Sequence, residues 1–231
     1  MRVDRLLANI VRWVIVLAMP VFLVLTSARL LVSDWYPRYE YSKAGFPLDP
    51  YGFTQQQRLQ LLTGVYHYLN SPQPVDQAIQ MLKDMRMPYG NGPLFNPDEI
   101  SHMIDVKRVM DSAWRAQVVS AAILILGFLF LLLRPATRVM AWNALFGGGF
   151  LTACLLLALG LFVMLGFNTF FTQFHEIFFP QGNWTFDYSD SLIRLLPERF
   201  FYDTFAMGAV TTLVSAVVLA VIGFVLGRRP G

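Results

Sequence analysis

Charge is scarce in this chain. Only 14% of the 231 residues are charged, against about 25% in a soluble domain. The balance is 18 − 15 = +3, too slight to point to nucleic acid. Sulfur chemistry is nearly absent as well. The single cysteine, Cys154, sits inside an apolar run. A disulfide framework is thereby excluded, and Cys154 is read as a small packing residue. The chain has no HExxH, no GxSxG elbow, no phosphate loop and no dinucleotide fingerprint. The tight metalloprotease, α/β-hydrolase and nucleotide-binding signatures are therefore missing. No internal repeat or low-complexity tract is present.

Long hydrophobic runs are what the chain does have. Four stretches, roughly Ile10–Val32, Val118–Leu133, Leu145–Phe167 and Phe205–Leu226, carry almost no charge. Three reach the roughly 20 residues that cross a bilayer core. The second reaches it if Ala113 and Trp114 extend the run. The pattern predicts an all-α membrane protein with four transmembrane helices and a mostly helical extracytoplasmic domain. Basic residues cluster at Arg2, Arg5 and Arg12, at Arg134 and Arg138, and at Arg228 and Arg229. The positive-inside rule then puts both termini and the second-to-third connection in the cytoplasm.

The expected organisation follows from that orientation. Residues 1–33 hold the first span and 34–112 an extracytoplasmic region. Residues 113–168 hold the second and third spans with a short cytoplasmic loop. Residues 169–204 form an extracytoplasmic aromatic loop, and 205–231 the fourth span. Ser27–Ala28 resembles a signal-peptide cleavage site, but the run is long for one and continues past it, so the first span is read as retained. Arg29, near the outer end of that span, snorkels to the interface or binds an anionic or ester head group.

Local signals fill in the regions between spans. Asp34–Phe53, with Pro37, Pro47 and Pro50, reads as an extended loop. Thr54 and Gln57 form a capping-box pair ahead of a helix that packs through Leu59, Leu62, Tyr66 and Leu69. Asn70–Pro74 breaks it, and a short helix with Ile79, Leu82 and Met85 on one face follows. Pro88–Pro93 is a loop. Asn96-Pro97-Asp98-Glu99 is a strong helix start, and nothing interrupts the chain from there to Leu133. Gly147–Gly149, Gly160, Gly166 and the Gly223/Gly227 pair read as close helix contacts. Phe167, Phe170, Phe171, Phe174 and Phe178 make an aromatic stripe at helical spacing, ended by Pro180–Gly182. That stripe lies at the lipid interface or forms a protein-facing core. Trp184–Asp190 is a loop, a short helix covers Ser191–Leu196, and Pro197 opens the last helix. The triplet Asn183-Trp184-Thr185 matches a glycosylation acceptor and is read as chance.

All three histidines fall in the two outer regions. His67 lies on the polar side of its helix and reads as solvated. His102 has Asp98 and Asp105 on the same helix face, where a carboxylate can hold one ring nitrogen and leave the other to act. His175 borders the phenylalanine stripe, with Glu176, Asp187 and Asp190 close in sequence. A mixed metal site from the two histidines and Asp98, Asp105, Asp187 or Asp190 is the rival reading. The histidines are 73 positions apart, so either reading requires that folding bring them together. Rings more than about 10 Å apart lie far outside direct proton-transfer reach.

Two strings carry a resemblance. One is Phe95-Asn96-Pro97-Asp98-Glu99-Ile100-Ser101-His102-Met103-Ile104-Asp105-Val106-Lys107. The other is Phe174-His175-Glu176-Ile177-Phe178-Phe179, followed by Asn183-Trp184-Thr185-Phe186-Asp187 and Asp190-Ser191-Leu192-Ile193-Arg194-Leu195-Leu196-Pro197-Glu198-Arg199-Phe200-Phe201. With four spans and outer histidines, the chain resembles the bacterial integral membrane family that includes the lipoprotein intramolecular transacylase. The resemblance implies a diacylated lipoprotein substrate in membrane lipid. It implies transfer of the sn-2 acyl chain from the glycerol of a diacylglyceryl-cysteine to its α-amino group, giving a lyso-form lipoprotein. It also implies His102 and His175 as catalytic residues in a bacterial cytoplasmic membrane, with the active site on the extracytoplasmic face.

On that reading His175 is the base, His102 its partner, and Asp105 orients His102. Arg29, Trp184, Asp187, Asp190, Arg194 and Glu198 are candidates for orienting groups or for binding polar parts of the substrate. No metal or nucleic acid is expected, and no soluble cofactor is needed, since an ester becomes a more stable amide. The alternatives are a non-enzymatic outer-face lipid-binding or sensor protein and a metal-dependent lipid hydrolase.

Overall fold

The computed structural model describes residues 2–90 and 92–228. Arg229 of the C-terminal basic cluster and Asn91 of the expected Pro88–Pro93 loop lie outside the described residues. In chain order the helices are α1 (Arg2–Leu31), α2 (Trp35–Ser42), α3 (Gln55–Asn70), α4 (Val75–Ala78), α5 (Gln80–Lys83), α6 (Pro97–Leu132), α7 (Arg138–Leu165), α8 (Phe167–Phe178), α9 (Ser191–Leu195) and α10 (Glu198–Gly227), with a 3-10 turn at Pro135–Thr137. Among the described residues there is no strand, only an isolated bridge between Arg86 and Pro93. The helices α1, α6, α7 and α10 are long and apolar enough to cross a bilayer. The chain is a multi-pass, all-helical membrane protein.

The chain divides into two compact units. The first comprises the chain up to residue 28, residues 113–165, and the chain from residue 207 on. Its core joins Ala8, Ile15, Val16, Met19 and Leu23 of α1 to Leu124 and Leu131 of α6, Ala141 and Ala144 of α7, and Ala216 of α10. Small residues let the α7 and α10 backbones approach. A Cβ on Gly149 would stand 2.5 Å from the Ala216 carbonyl oxygen, and one on Gly223 would strike the backbone of Trp142 and Phe146. In lipid such contacts replace the hydrophobic drive that packs soluble helices. Gly160 meets nothing within 4 Å, so it makes no close contact of the expected kind. Cys154 is exposed, so the packing role expected of it is corrected. The side chain lies on the outer surface of α7.

The second unit comprises residues 29–112 and 166–206. Its core is rich in tyrosine and leucine: Tyr36, Tyr41, Leu62, Val65, Tyr66, Tyr68, Leu82, Leu195 and Phe200 are all nearly sealed from solvent. Two of the buried hydroxyls donate to backbone carbonyls. Tyr68 donates to the Met103 carbonyl at 2.9 Å, and Tyr41 to the Leu195 carbonyl at 2.5 Å. The Thr54–Gln57 capping box opens α3 as its sequence requires. The expected loop at Asp34–Phe53 contains α2 instead. Pro37 is its third residue, where an absent N–H has no intrahelical partner to lose. The short helix expected around Ile79 is two single turns, α4 and α5.

Two buried cations in this unit have carboxylate partners. Arg194 and Asp49 are both buried and meet at 2.9 Å, with the guanidinium 3.4 Å from the centre of the Phe53 ring. Lys107 is 1% exposed, and its ammonium donates to the Ser71 carbonyl and to Asp111.

Candidate active site

The start of α6 is fixed first, because it sets where His102 points. Asn96 and Glu99 close a reciprocal cap: Glu99 N–H donates to Asn96 Oδ1 at 2.9 Å, and Asn96 N–H to Glu99 Oε2 at 2.7 Å. The other Glu99 oxygen accepts from the Leu192 N–H at 2.7 Å. Asn96 also donates to Asp190, which accepts the Asp187 N–H through its second oxygen. Ser191 donates to the Leu94 carbonyl. The segment 187–192 is thereby tied to the first turn of α6. Burial pushes the Glu99 carboxyl up, against the hydrogen bonds from Leu192 and Asn96.

His175 is set by α8. Its Nδ1 lies 2.8 Å from the Phe171 carbonyl, one turn earlier. A carbonyl only accepts, so Nδ1 carries the proton and Nε2 keeps its lone pair. The aromatic stripe surrounds the ring. Phe171 lies 4.1 Å from it, Trp184 5.0 Å, Phe179 5.5 Å and Phe174 5.6 Å, centroid to centroid. Phe167, Phe170 and Phe174 pack in turn on Phe205. Much of the stripe is thus a ring-on-ring core, while Ile177 and Phe178 remain exposed.

The fold brings the two histidines together. Their ring centroids are 6.2 Å apart and the rings are 23° from parallel. Phe179 and Phe186 meet the His102 ring edge-on at 4.8 and 5.4 Å. Each histidine is only 8% exposed. His67, by contrast, is an exposed partner of Asp34 at 3.2 Å, in keeping with a surface role. Among the described residues, no three His, Cys, Asp or Glu side chains are arranged to hold a metal ion.

Both imidazoles are held neutral. Burial lowers the His102 pKa to about 4, helped by the neighbouring His175 and opposed by Asn183 and Asp105. Burial also lowers that of His175, against its bond to the Phe171 carbonyl. The sign of the pH effect follows. An unfolded histidine takes a proton near pH 6.5, and the folded one resists. The His102 contribution to stability is therefore whole above about pH 6.5 and drains away as pH falls towards 4, and that of His175 changes in the same direction. In detergent, the thermal midpoint of the wild type should drop across that window more steeply than that of His102→Phe. Parallel curves would remove the burial argument.

The other residues singled out by sequence are distributed unevenly. Trp184 packs against His175. Asp105 does not hydrogen-bond His102. Its carboxylate accepts from Gln181 at 2.6 Å, Asn183 at 2.9 Å and Arg108 at 3.1 Å. Burial works against its ionisation, but those donors prevail and keep the carboxyl below its usual range. Arg194 pairs with Asp49, and Asp190 ties the loop that meets α6. Arg29, Asp187 and Glu198 are exposed and are not among the groups that touch either imidazole. Asn183 and Phe186 reach the His102 surroundings without having been anticipated. Beyond their place in the second of the two strings, Asn183 had only its glycosylation triplet to mark it, and Phe186 only its aromatic loop.

Against known proteins, a model of the family described as lipoprotein intramolecular transacylase Lit matches residues 13–201. The chain belongs to this family. Similar solved structures include the membrane integral lipoprotein intramolecular transacylase Lit from Bacillus cereus, with a TM-score of 0.72 at 21% identity, covering 98% of this chain and 95% of that one. A structure of the same protein with a histidine-to-arginine mutation gives 0.68 at 21% identity, covering 98% and 91%. At such identity the likeness speaks for a shared Lit fold. An uncharacterized protein of Aquifex aeolicus is 29% identical over 222 residues, 96% of each chain.

Proposed function

We propose that this Lit-family chain is an intramolecular N-acyltransferase of the bacterial cytoplasmic membrane, acting at its outer face. On this reading it moves the sn-2 acyl chain of a diacylglyceryl-cysteine lipoprotein to the cysteine α-amine, with His175 and His102 as acid and base. The observation that carries it is the pair of neutral, buried imidazoles 6.2 Å apart inside an aromatic wall. The outer-face placement rests on the arginine clusters.

The chemistry needs proton carriers. The α-ammonium has a pKa near 8 and must lose a proton to attack the ester carbonyl. His175 Nε2 is the better-defined acceptor, because its other nitrogen is spent on Phe171. The new N–C bond forms as the carbonyl becomes tetrahedral. The C–O bond to glycerol then breaks, and an imidazolium returns a proton to the departing oxygen. Amine and ester belong to one molecule joined through sulfur and glycerol. Holding the two ends together supplies part of the roughly 7–11 kcal/mol that orientation can contribute.

The test is direct. Cells lacking any such activity should gain lyso-form lipoproteins when this chain is expressed. Mass spectrometry of lipoprotein N-termini would show an N-acyl group and one glycerol ester. Unchanged diacyl N-termini, with the protein present in the membrane, would favour the lipid-binding reading instead.

A further inference from the structure

Two buried polar atoms near the histidine pair lack an aligned hydrogen-bond partner: His102 Nδ1 and Asn183 Oδ1. They are complementary. An amide oxygen only accepts, and an imidazole Nδ1 can donate. Which end of the Asn183 amide is which is settled by its neighbours. The nitrogen donates to Asp105 Oδ2 at 2.9 Å and lies 3.2 Å from Ser101 Oγ. A carboxylate cannot accept from an amide oxygen, so a flipped amide would set oxygen against oxygen there. The free atom is therefore the oxygen. Ser101 and Asp105 lie one turn apart on α6, and His102 is three residues before Asp105, so an amide gripped by Ser101 and Asp105 lies beside the His102 side chain. Its influence on the His102 ring is in keeping with that position.

We propose that Asn183 is the positioning residue for His102: held by Asp105 and Ser101, it turns its side-chain oxygen to Nδ1–H and so fixes the ring and its tautomer. Asp105 then acts on His102 through Asn183, as a carboxylate that orients an amide that orients an imidazole. The consequence is a symmetry of polarity. His175 donates from Nδ1 to a carbonyl, and His102 donates from Nδ1 to an amide oxygen. Both Nε2 atoms are left as acceptors.

This matters for the reaction only if the function proposed above holds, on which that part of the inference rests. An α-ammonium carries three hydrogens and the amide product keeps one. Of the two protons removed, one ends on the glycerol oxygen and the other leaves to solvent. Two imidazoles with open Nε2 atoms can each take one. A site with one acceptor and one donor would have to clear the first proton before the second could move. In this scheme His102 joins the relay as an acceptor and donates only after it has been protonated.

The experiment reads the tautomer itself. The full chain in detergent, with ring-labelled histidine, is examined by nitrogen–carbon-bound-proton correlation at neutral pH, with His102→Phe and His175→Phe used to assign the signals. In wild type, both His102 and His175 should show a protonated Nδ1 and a bare Nε2. In Asn183→Leu, His102 should lose that signature and populate the Nε2–H form, while His175 keeps its own because Phe171 is untouched. The intact His175 pattern doubles as the folding control. Should Asn183→Leu fail to fold, Asp105→Ala weakens the grip on the amide and should mix the His102 tautomers in the same direction. An Nε2–H form of His102 in wild type, or no change in the folded variants, overturns the proposal.

Activity separates the two readings. Asn183→Leu should lower kcat with KM little changed, by less than the roughly 10²–10⁴-fold that a catalytic acid or base contributes. A correct tautomer in a protein that makes no lyso-form product keeps the positioning and ends the transacylase reading. Lyso-form product alongside an Nε2–H His102 does the reverse.

Discussion

Replacing His175 by phenylalanine should reduce lyso-form production by about 10²–10⁴-fold, the usual contribution of a positioned acid or base. That corresponds to about 3–5 kcal/mol of barrier at 1.36 kcal/mol per tenfold. Phenylalanine is chosen over alanine because the ring sits among Phe171, Phe174, Phe179 and Trp184. An aromatic substitute keeps that wall filled, so the loss reports the missing nitrogen rather than a cavity. His102→Phe should cost a similar factor, and an aromatic substitute again keeps the space filled, because Phe179 and Phe186 pack edge-on against that ring. The double variant should be little worse than either single one, because residues that act as a unit are not additive. The measurement is single-turnover conversion of a purified diacyl lipoprotein, with membrane levels checked. Product at wild-type rate from either variant would leave the pair without a catalytic task.

Asp49→Ala should destabilise the fold by about 3–5 kcal/mol, the cost of stranding a buried charge. Arg194 would lose its only bidentate partner among the described hydrogen bonds, and the Phe53 N–H would lose the carboxylate it reaches at 2.6 Å. The change would read as a lower thermal midpoint in detergent. The informative companion is Asp49→Leu with Arg194→Met. Removing both charges should recover much of the loss, since a buried pair is often no more stable than apolar residues of similar size. If the double variant is stable and still makes lyso-form product, Arg194 is architecture. If it is stable and inactive, Arg194 binds substrate after all.

What sequence reveals here depends on how local each feature is. The four spans are legible because a bilayer demands about 20 apolar residues in a row, and that demand is met residue by residue. The start of α6 is legible because Asn96 and Glu99 cap one another within four residues. His102 and His175 stand out because histidine is rare in this chain. The ion pair of Arg194 is hard to foresee for the opposite reason. Its partner Asp49 lies 145 positions away, so nothing nearby in sequence announces the pairing. Asn183 hides similarly. Its worth comes from Asp105 and Ser101 on another helix, whereas its immediate neighbours suggest only a sugar acceptor. The α2 helix was obscured by Pro37, which breaks helices in the middle but not in the first turn.

The ring of phenylalanines around His175 has one more effect. On the proposed function, water and an amine would compete for the same activated ester, and water is far more abundant. Phe171, Phe174 and Phe179 offer no hydrogen-bonding group to the faces of the His175 ring that they cover, so stray water finds little on those sides to hold it. Greasy walls of this kind discourage fatty-acid release and leave the tethered nitrogen as the better-placed nucleophile. Opening that enclosure with a serine at Phe179 should therefore convert part of the flux from transfer into leakage.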